Sequence, residues 1–230
     1  MNQGDPAPDG SHGPHVLVED VWHPNLAPDD RHHLERALRL RAGDALTVGD
    51  GAGHWRPCTL AAEPEPVGRV FVVAPPVAEL GVAFALIKGG RPELVVQKLT
   101  ELGVDLIIPF VAARSVVRWD DTKAERNTEK FRKVAREAVM QCRRPWLPTI
   151  STLQTFDEVI CRPGAALADR SGAPLGRDTC LIIVGPEGGW DENERSIELP
   201  RVQLAEPVLR AETAAIAAAT LLTAMRSGVV

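Results

Sequence analysis

The chain has 230 residues, a formal net charge of −5 and 44% hydrophobic residues, enough for one large core or two smaller ones. No apolar run is long enough to cross a bilayer, and the polar opening Met1–Gly13 has no hydrophobic signal segment, which predicts a disordered tail on a cytoplasmic protein. All six histidines fall between His12 and His54 and there is no tyrosine, so the rest of the chain cannot build a histidine metal centre or a Ser–His nucleophile. Cys58, Cys142, Cys161 and Cys180 have no C-x-x-C spacing and read as reduced, mostly buried residues.

In chain order, His15–Val18 reads as a strand. Asp30–Leu40 reads as a short helix with Leu34, Ala37, Leu38 and Leu40 as its apolar stripe, ended by Gly43-Asp44. Ala45–Val48, Arg56–Ala61 and Arg69–Val73 follow as short strands, and their spacing predicts a small barrel over residues 14–76. Gly49–Gly53 lacks the spacing of a dinucleotide loop and lies between strands, so it is a hairpin turn. His32 and His33 have no third ligand at helical spacing, which argues against a metal site. Arg31, Arg36, Arg39 and Arg41 form a candidate phosphate-binding edge.

Pro75-Pro76 marks a boundary, and residues 77–230 alternate strands with helices, the pattern of a parallel sheet. Val82–Ile87 is a strand. Pro92 opens a helix whose apolar face is Leu94, Val95, Leu99 and Leu102 and which Gly103 stops. Val104–Val111 is the next strand, and a longer helix runs from about Thr128 to Cys142 with Phe131, Val134, Ala135, Ala138 and Val139 inward. Ile150 is a short strand, Leu153–Ile160 a short helix, and Ala165–Ala168 a strand. From Phe110 to Trp146 there are ten Lys and Arg against five Asp and Glu, a basic island in an acidic chain. It is either a phosphate-contacting patch or a solvated helix face.

The last fifty residues hold the strongest signal. Cys180–Val184 is a buried strand that stops at Gly185-Pro186-Glu187-Gly188-Gly189-Trp190, with three glycines in five positions. Asp191 is an N-cap with Glu194 as its capping-box partner. A second strand, Val202–Ala205, leads into Glu206-Pro207-Val208-Leu209-Arg210-Ala211-Glu212-Thr213, and an Ala-rich helix runs from about Thr213 to Arg226. Loops at the carboxyl ends of buried strands are where open α/β sheets hold ligands, and these two carry Glu187, Arg210 and Glu212.

This pair of turns resembles the C-terminal signature of the SPOUT RNA methyltransferases, and within them the family that methylates N3 of a uridine in bacterial 16S ribosomal RNA. The resemblance extends through Lys88-Gly89, Gln97-Lys98, Glu101–Val104, Pro109, Arg114-Ser115 and Glu137 to Pro148, and the stretch Arg31–Asp44 with Asp50–Gly53 is similar to the family's N-terminal PUA-like barrel. It implies an α/β fold with a deep trefoil-knot SPOUT domain behind a PUA-like β-barrel, acting as a homodimer on 16S rRNA, within the small ribosomal subunit, without metal. The chain departs from the family at Ala205, where glycine is usual, at Pro207, often arginine, and at Trp190, usually Phe or Leu.

The resemblance also implies S-adenosylmethionine as cofactor, held between Leu167-Ala168, Gly185-Pro186-Glu187-Gly188-Gly189 and Leu204-Ala205, Leu209 and Thr213. An SN2 transfer needs the uridine N3 proton removed or the uracil anion stabilised. The candidates are Glu187, Glu212 and Arg210, with Arg210 as the electrostatic stabiliser and Glu212 orienting it or taking the proton. Bracing of the loop is the other reading of that pair. Glu187 is expected to satisfy main-chain N–H groups of its own turn. Arg31, Arg39, Arg114, Arg118, Arg143 and Arg144 are the candidate RNA contacts, and Trp119 or Trp146 is either a base-stacking surface or core. Two rival readings are an RNA-binding protein with a degenerate knot and a SPOUT enzyme acting on another RNA atom.

Overall fold

The computed structural model describes residues 4–88 and 91–229; Gly89 of the Lys88-Gly89 pair and the first three residues of the expected tail lie outside it. The chain forms two units, one of residues 4–76 with 136–147, the other of 77–135 with 148–229.

The first unit is a five-stranded sheet. Strand β1 (His15–Leu17) pairs parallel with β2 (Ala45–Gly49), which forms a hairpin with β3 (His54–Thr59). The hairpin turn has Gly51 and Gly53 at φ of 69° and 96°, conformations that branched residues avoid. β4 (Glu65–Pro66) and β5 (Phe71–Val72) both pair with β3. Val16, Leu34, Leu46, Val48 and Cys58 form the core.

Between β1 and β2 the helical stretch differs from expectation. A short α1 (Pro28–His32) passes into a π-helical turn, His33–Ala37. Only Leu34 of the expected stripe is buried, and Leu38 is 47% exposed, because the wider turn breaks the helical period. Residues 4–13 are not the free tail that composition predicts. Asp5 pairs with Arg69, Trp55 Nε1 donates to the Pro6 carbonyl at 2.8 Å, and Pro8 is buried. The cysteines are less sheltered than expected: Cys58 is buried but Cys161 is exposed.

The second unit is a seven-stranded sheet in the order β12-β10-β11-β6-β7-β8, with β9 also on β7, and every pair is parallel. Its strands are β6 (Gly81–Ala85), β7 (Leu106–Val111), β8 (Thr149–Ile150), β9 (Gln154–Thr155), β10 (Ala165–Ala173), β11 (Leu181–Val184) and β12 (Arg201–Val202). Such a sheet must be covered on both faces. Val82, Phe84, Ile107, Ile182 and Val184 meet α2 (Arg91–Glu101), α3 (Asp121–Cys142) and α6 (Ala211–Ser227) on one side. Ala83, Ala85, Ile108, Phe110 and Ile183 meet Trp190 and α4 (Phe156–Ile160) on the other. The alternation is the period-2 pattern of a strand read onto two cores.

Most elements fall where the sequence places them. α3 starts seven residues earlier than expected, and Gln154-Thr155 is a strand rather than the start of a helix. Gly103, at φ 92°, ends α2 as expected. The short α5 (Glu192–Ser196) has the expected capping box, with Asp191 accepting from Glu194 N at 2.8 Å and Glu194 accepting from Asp191 N at 3.0 Å. β10 runs on past Ala168 and shifts register against β12 between Ala168 and Ala173. Because all strands are parallel, the chain leaves β10, β11, β12, β6 and β7 along one edge. Among the described residues no helix is long and apolar enough to cross a membrane.

Candidate functional site

A cavity of about 410 Å³ lies on that carboxyl edge, walled by the segments after β10, β11 and β12 and by the start of α6. Apolar surface comes from Val184, Leu204, Leu209, Ala211 and Ala214, and much of the rest is main chain at Gly185, Pro186 and Gly189. Volume and lining are those of a small-molecule site. Of the expected cofactor residues, Ala168, Gly185, Pro186, Glu187, Gly189, Leu204, Ala205 and Leu209 line it. Leu167 lies beneath in the core, fully buried. Gly188 packs on Arg114 instead, and Thr213 is exposed on α6. Ala205 and Pro207, two of the departures, both line the cavity.

Trp190 is the floor of the turn. It is 4% exposed, packs on Phe110 and Phe156, and donates from Nε1 to the Ala168 carbonyl at 3.1 Å. A Cβ on Gly185 would meet its ring at 3.0 Å, so glycine is what lets the turn close over the indole. The Gly189 N–H closes the turn on the Pro186 carbonyl at 2.9 Å.

The register shift in β10 brings Asp169 and Arg170 to the cavity, which the sequence did not single out. Burial opposes the charge on Asp169, but the Ser171 N–H and hydroxyl, with Arg201 and Arg195 nearby, outweigh it and hold its carboxyl below the usual range. Arg195 also lines the cavity. An ionised carboxylate, exposed guanidinium groups, apolar walls and bare main chain suit a ligand with a heterocycle, hydroxyls and a zwitterionic tail.

Arg91, at the start of α2, is a further residue that the sequence did not single out. Its guanidinium lies 3.5 Å from Glu212 and 3.9 Å from Glu187, and so joins the loop after β11 to the first turn of α6. Two expectations are corrected here. Glu187 accepts no bond from its own turn; its partner is Arg91. Glu212 does not orient Arg210. Arg210 is the N-cap of α6 and Glu212 sits two residues on, positions that do not face each other on a helix. The Arg210 guanidinium makes no ion pair or hydrogen bond among the described residues. Glu212 is 14% exposed, and its Oε2 is buried without a hydrogen-bond partner.

The candidate RNA contacts separate into two groups. Arg114 donates to the Gly188 carbonyl at 3.2 Å and Arg118 to that of Ala113 at 3.1 Å, and both are exposed beyond β7. In the first unit, Arg31 is engaged with the Ala61 and Ala62 carbonyls and with Glu35 and Glu63. Arg143, at φ 57°, donates to the Gly13 carbonyl at 3.2 Å. Arg39 is exposed, and the Arg144 N–H bonds the Val139 carbonyl. Trp146 is built into the hairpin, where a Cβ on Gly53 would meet its ring at 2.4 Å. Among the described residues no group of three or more His, Cys, Asp or Glu could hold a metal.

Residues 74–223 match the model of an RNA methyltransferase domain, and residues 26–66 that of an RNA methyltransferase PUA domain. The chain is 30% identical over 227 residues to a ribosomal RNA small subunit methyltransferase E of Bacillus subtilis, covering 86% of this chain and 88% of that one. It is likewise 30% identical to the protein of that name from Mycobacterium bovis, over 83% and 82% of the two chains. Among solved structures, a Legionella pneumophila protein in complex with the bound cofactor S-adenosylmethionine superposes with a TM-score of 0.77 at 25% identity, covering 92% of this chain and 97% of that one. The ribosomal RNA small subunit methyltransferase E of Neisseria gonorrhoeae superposes with a TM-score of 0.75 at 22% identity, over 93% and 98%. The fold is thus that of a SPOUT trefoil-knot domain with a PUA-like barrel.

Proposed function

This chain belongs to the RNA methyltransferase family whose members include the ribosomal RNA small subunit methyltransferases E, and from that premise we propose that it methylates N3 of a uridine in the decoding region of 16S ribosomal RNA. The observation that carries the reading is the cavity at the carboxyl ends of β10, β11 and β12. Arg210, with its unpaired guanidinium, and Glu212, with one carboxylate oxygen buried and unpartnered, do not line it but flank Ala211, which does. S-adenosylmethionine, when bound, supplies a methyl group already activated by its sulfonium. Leu204, Leu209, Ala211 and Ala214 would hold its heterocycle, the main chain of Gly185 and Gly189 its polar edge, and Asp169 and Arg195 its hydroxyls and tail.

The remaining task for the protein is the N3 proton. Glu212 Oε2 is buried and lacks a partner, so an N–H donor arriving there gains a charge-assisted hydrogen bond. Arg91 beside Glu212 and Glu187 keeps that carboxylate in place. Arg210 and the amino end of the 17-residue α6 would stabilise the negative charge that develops as the uracil loses its proton. Arg114 and Arg118, exposed beyond β7, would meet phosphates of the RNA. The enzyme works as a homodimer on the small ribosomal subunit.

Calorimetric titration with S-adenosylmethionine tests the site. Saturable binding that Gly185→Val abolishes and Arg210→Ala leaves unchanged is expected. Binding by Gly185→Val equal to the wild type would remove the cavity as the cofactor site.

A further inference from the structure

The function proposed above brings RNA to the carboxyl edge of the sheet, and a second cavity lies on that edge. It measures about 260 Å³ and is walled by Ile87 and Lys88 beyond β6, Val117 and Trp119 beyond β7, Glu93 of α2 and Phe131 of α3. In the sheet β6 neighbours β11, so this cavity is the next one along from the first.

Its lining has a definite chemistry. Trp119 is half-buried, with its ring held 6.1 Å from Phe131 in a tilted pair, so an aromatic wall is fixed in place. Glu93 accepts from Lys130 through Oε1, while Oε2 is buried with no hydrogen-bond partner. A buried acceptor left unmade is costly, and a ligand N–H that satisfies it binds tightly. The Asn127 amide nitrogen donates to the Lys123 carbonyl at 2.8 Å, which fixes that side chain with its oxygen as a second acceptor. Lys88 and Lys123, both exposed, put positive charge at the rim. An aromatic plane, two acceptors and a cationic rim match a nucleobase that carries N–H donors and is joined to phosphates.

The methylated uridine cannot be the occupant, because its N3 must face the methyl donor in the first cavity. We infer that the cavity beneath Trp119 takes an unstacked RNA base from a nucleotide flanking the target, and that its two acceptors favour an exocyclic amino group, which offers two N–H hydrogens where uracil offers one. The inference rests on RNA being the substrate. Its first consequence is that the protein reads sequence beside the target as well as the target itself.

Fluorescence anisotropy with labelled single-stranded oligo-C and oligo-U, on the full-length protein, tests it. The wild type is expected to bind oligo-C more tightly than oligo-U. Glu93→Gln should erase that preference, about tenfold in affinity for oligo-C, and leave oligo-U unchanged. Lys130→Met, which removes the same ion pair but spares the free oxygen, should keep the preference. Trp119→Leu should weaken both oligomers about tenfold. Equal affinity of the wild type for the two oligomers, or a preference that survives Glu93→Gln, would overturn the inference alone. Calorimetry with S-adenosylmethionine on the same samples separates the two readings. Intact cofactor binding with no binding of either oligomer sinks the RNA substrate together with the base pocket.

Discussion

At the scale of single residues, Arg91 and His15 make the sharpest predictions. Arg91 is 44% exposed, so its two ion pairs contribute little to stability, under about 1 kcal/mol. Arg91→Ala should therefore leave the melting temperature nearly unchanged and lower kcat by up to about a hundredfold, the scale of a misplaced catalytic group, because Glu212 is no longer held in place. Steady-state methylation and a thermal melt on the same sample check both halves. His15 is buried, bonds Thr47 through Nδ1 at 2.9 Å and leaves Nε2 without a partner. Burial, with Arg143 nearby, pushes its pKa down from 6.5 to about 4. Between those values the unfolded chain binds a proton that the folded one refuses. Stability is then full above about pH 6.5, falls as the pH drops towards 4, and loses about 3 kcal/mol in all. Urea unfolding at pH 7 and pH 5 should show the loss, and His15→Phe should flatten it. The sequence made Glu187, Arg210 and Glu212 visible because they stand in glycine- and proline-marked turns. It hid Arg91, which reads as an ordinary first residue of a helix. Only the sheet order, which sets the β6 and β11 loops side by side, shows what it reaches.

At the scale of elements, the turn after β11 and the helix that follows form one device. Glu194 accepts from Asp191 N within its capping box and from Ala113 N at 2.7 Å, so a single buried carboxylate ties α5 to the loop after β7. Glu194→Ala should destabilise the fold by about 2–3 kcal/mol, the value of hydrogen bonds to a buried charged acceptor. Asp191→Ala should cost about 1 kcal/mol, as an ordinary cap does. Near-equal losses for the two variants in chemical denaturation would show that the tie to Ala113 carries nothing. The capping box was legible because it is local, set by spacing within four residues. The bond to Ala113 spans 81 residues and has no local signature. The same holds for β10, whose shift against β12 moves Asp169 and Arg170 into the site, and for the helix after β1, whose π turn escapes a period of 3.6. The α6 helix went the other way. Its alanines announce close packing, and Ala215, Ala218 and Ala219 are fully buried against the sheet face they share with α2.

At the scale of the whole molecule, alternating strands and helices after Pro76 made a parallel sheet legible, while the sheet order was not. A sequence gives no sign that β12 and β10 are neighbours or that β6 lies beside β11, yet that order creates the edge on which both cavities open. The basic island was legible as charge but not as purpose. Arg136 turns out to pair with Asp30 inside the first unit, and Lys130 and Arg132 pair with Glu93 and Glu129. Exposed and without ion-pair partners among the described residues of the island are Arg114, Arg118, Lys123, Arg126 and Lys133. A cofactor that binds only the folded state should stabilise it by about 2.7 kcal/mol at a hundred times its Kd, visible as a shift of the melting curve. The central claim, transfer to N3 of a uridine, is tested most directly by incubating the protein with unmodified small ribosomal subunits and S-adenosylmethionine, then digesting the 16S rRNA to nucleosides for mass spectrometry. The account predicts a single new nucleoside, 3-methyluridine, absent when Glu212→Gln replaces the wild type. Appearance of a 2′-O-methylated nucleoside or 5-methyluridine in its place would contradict it.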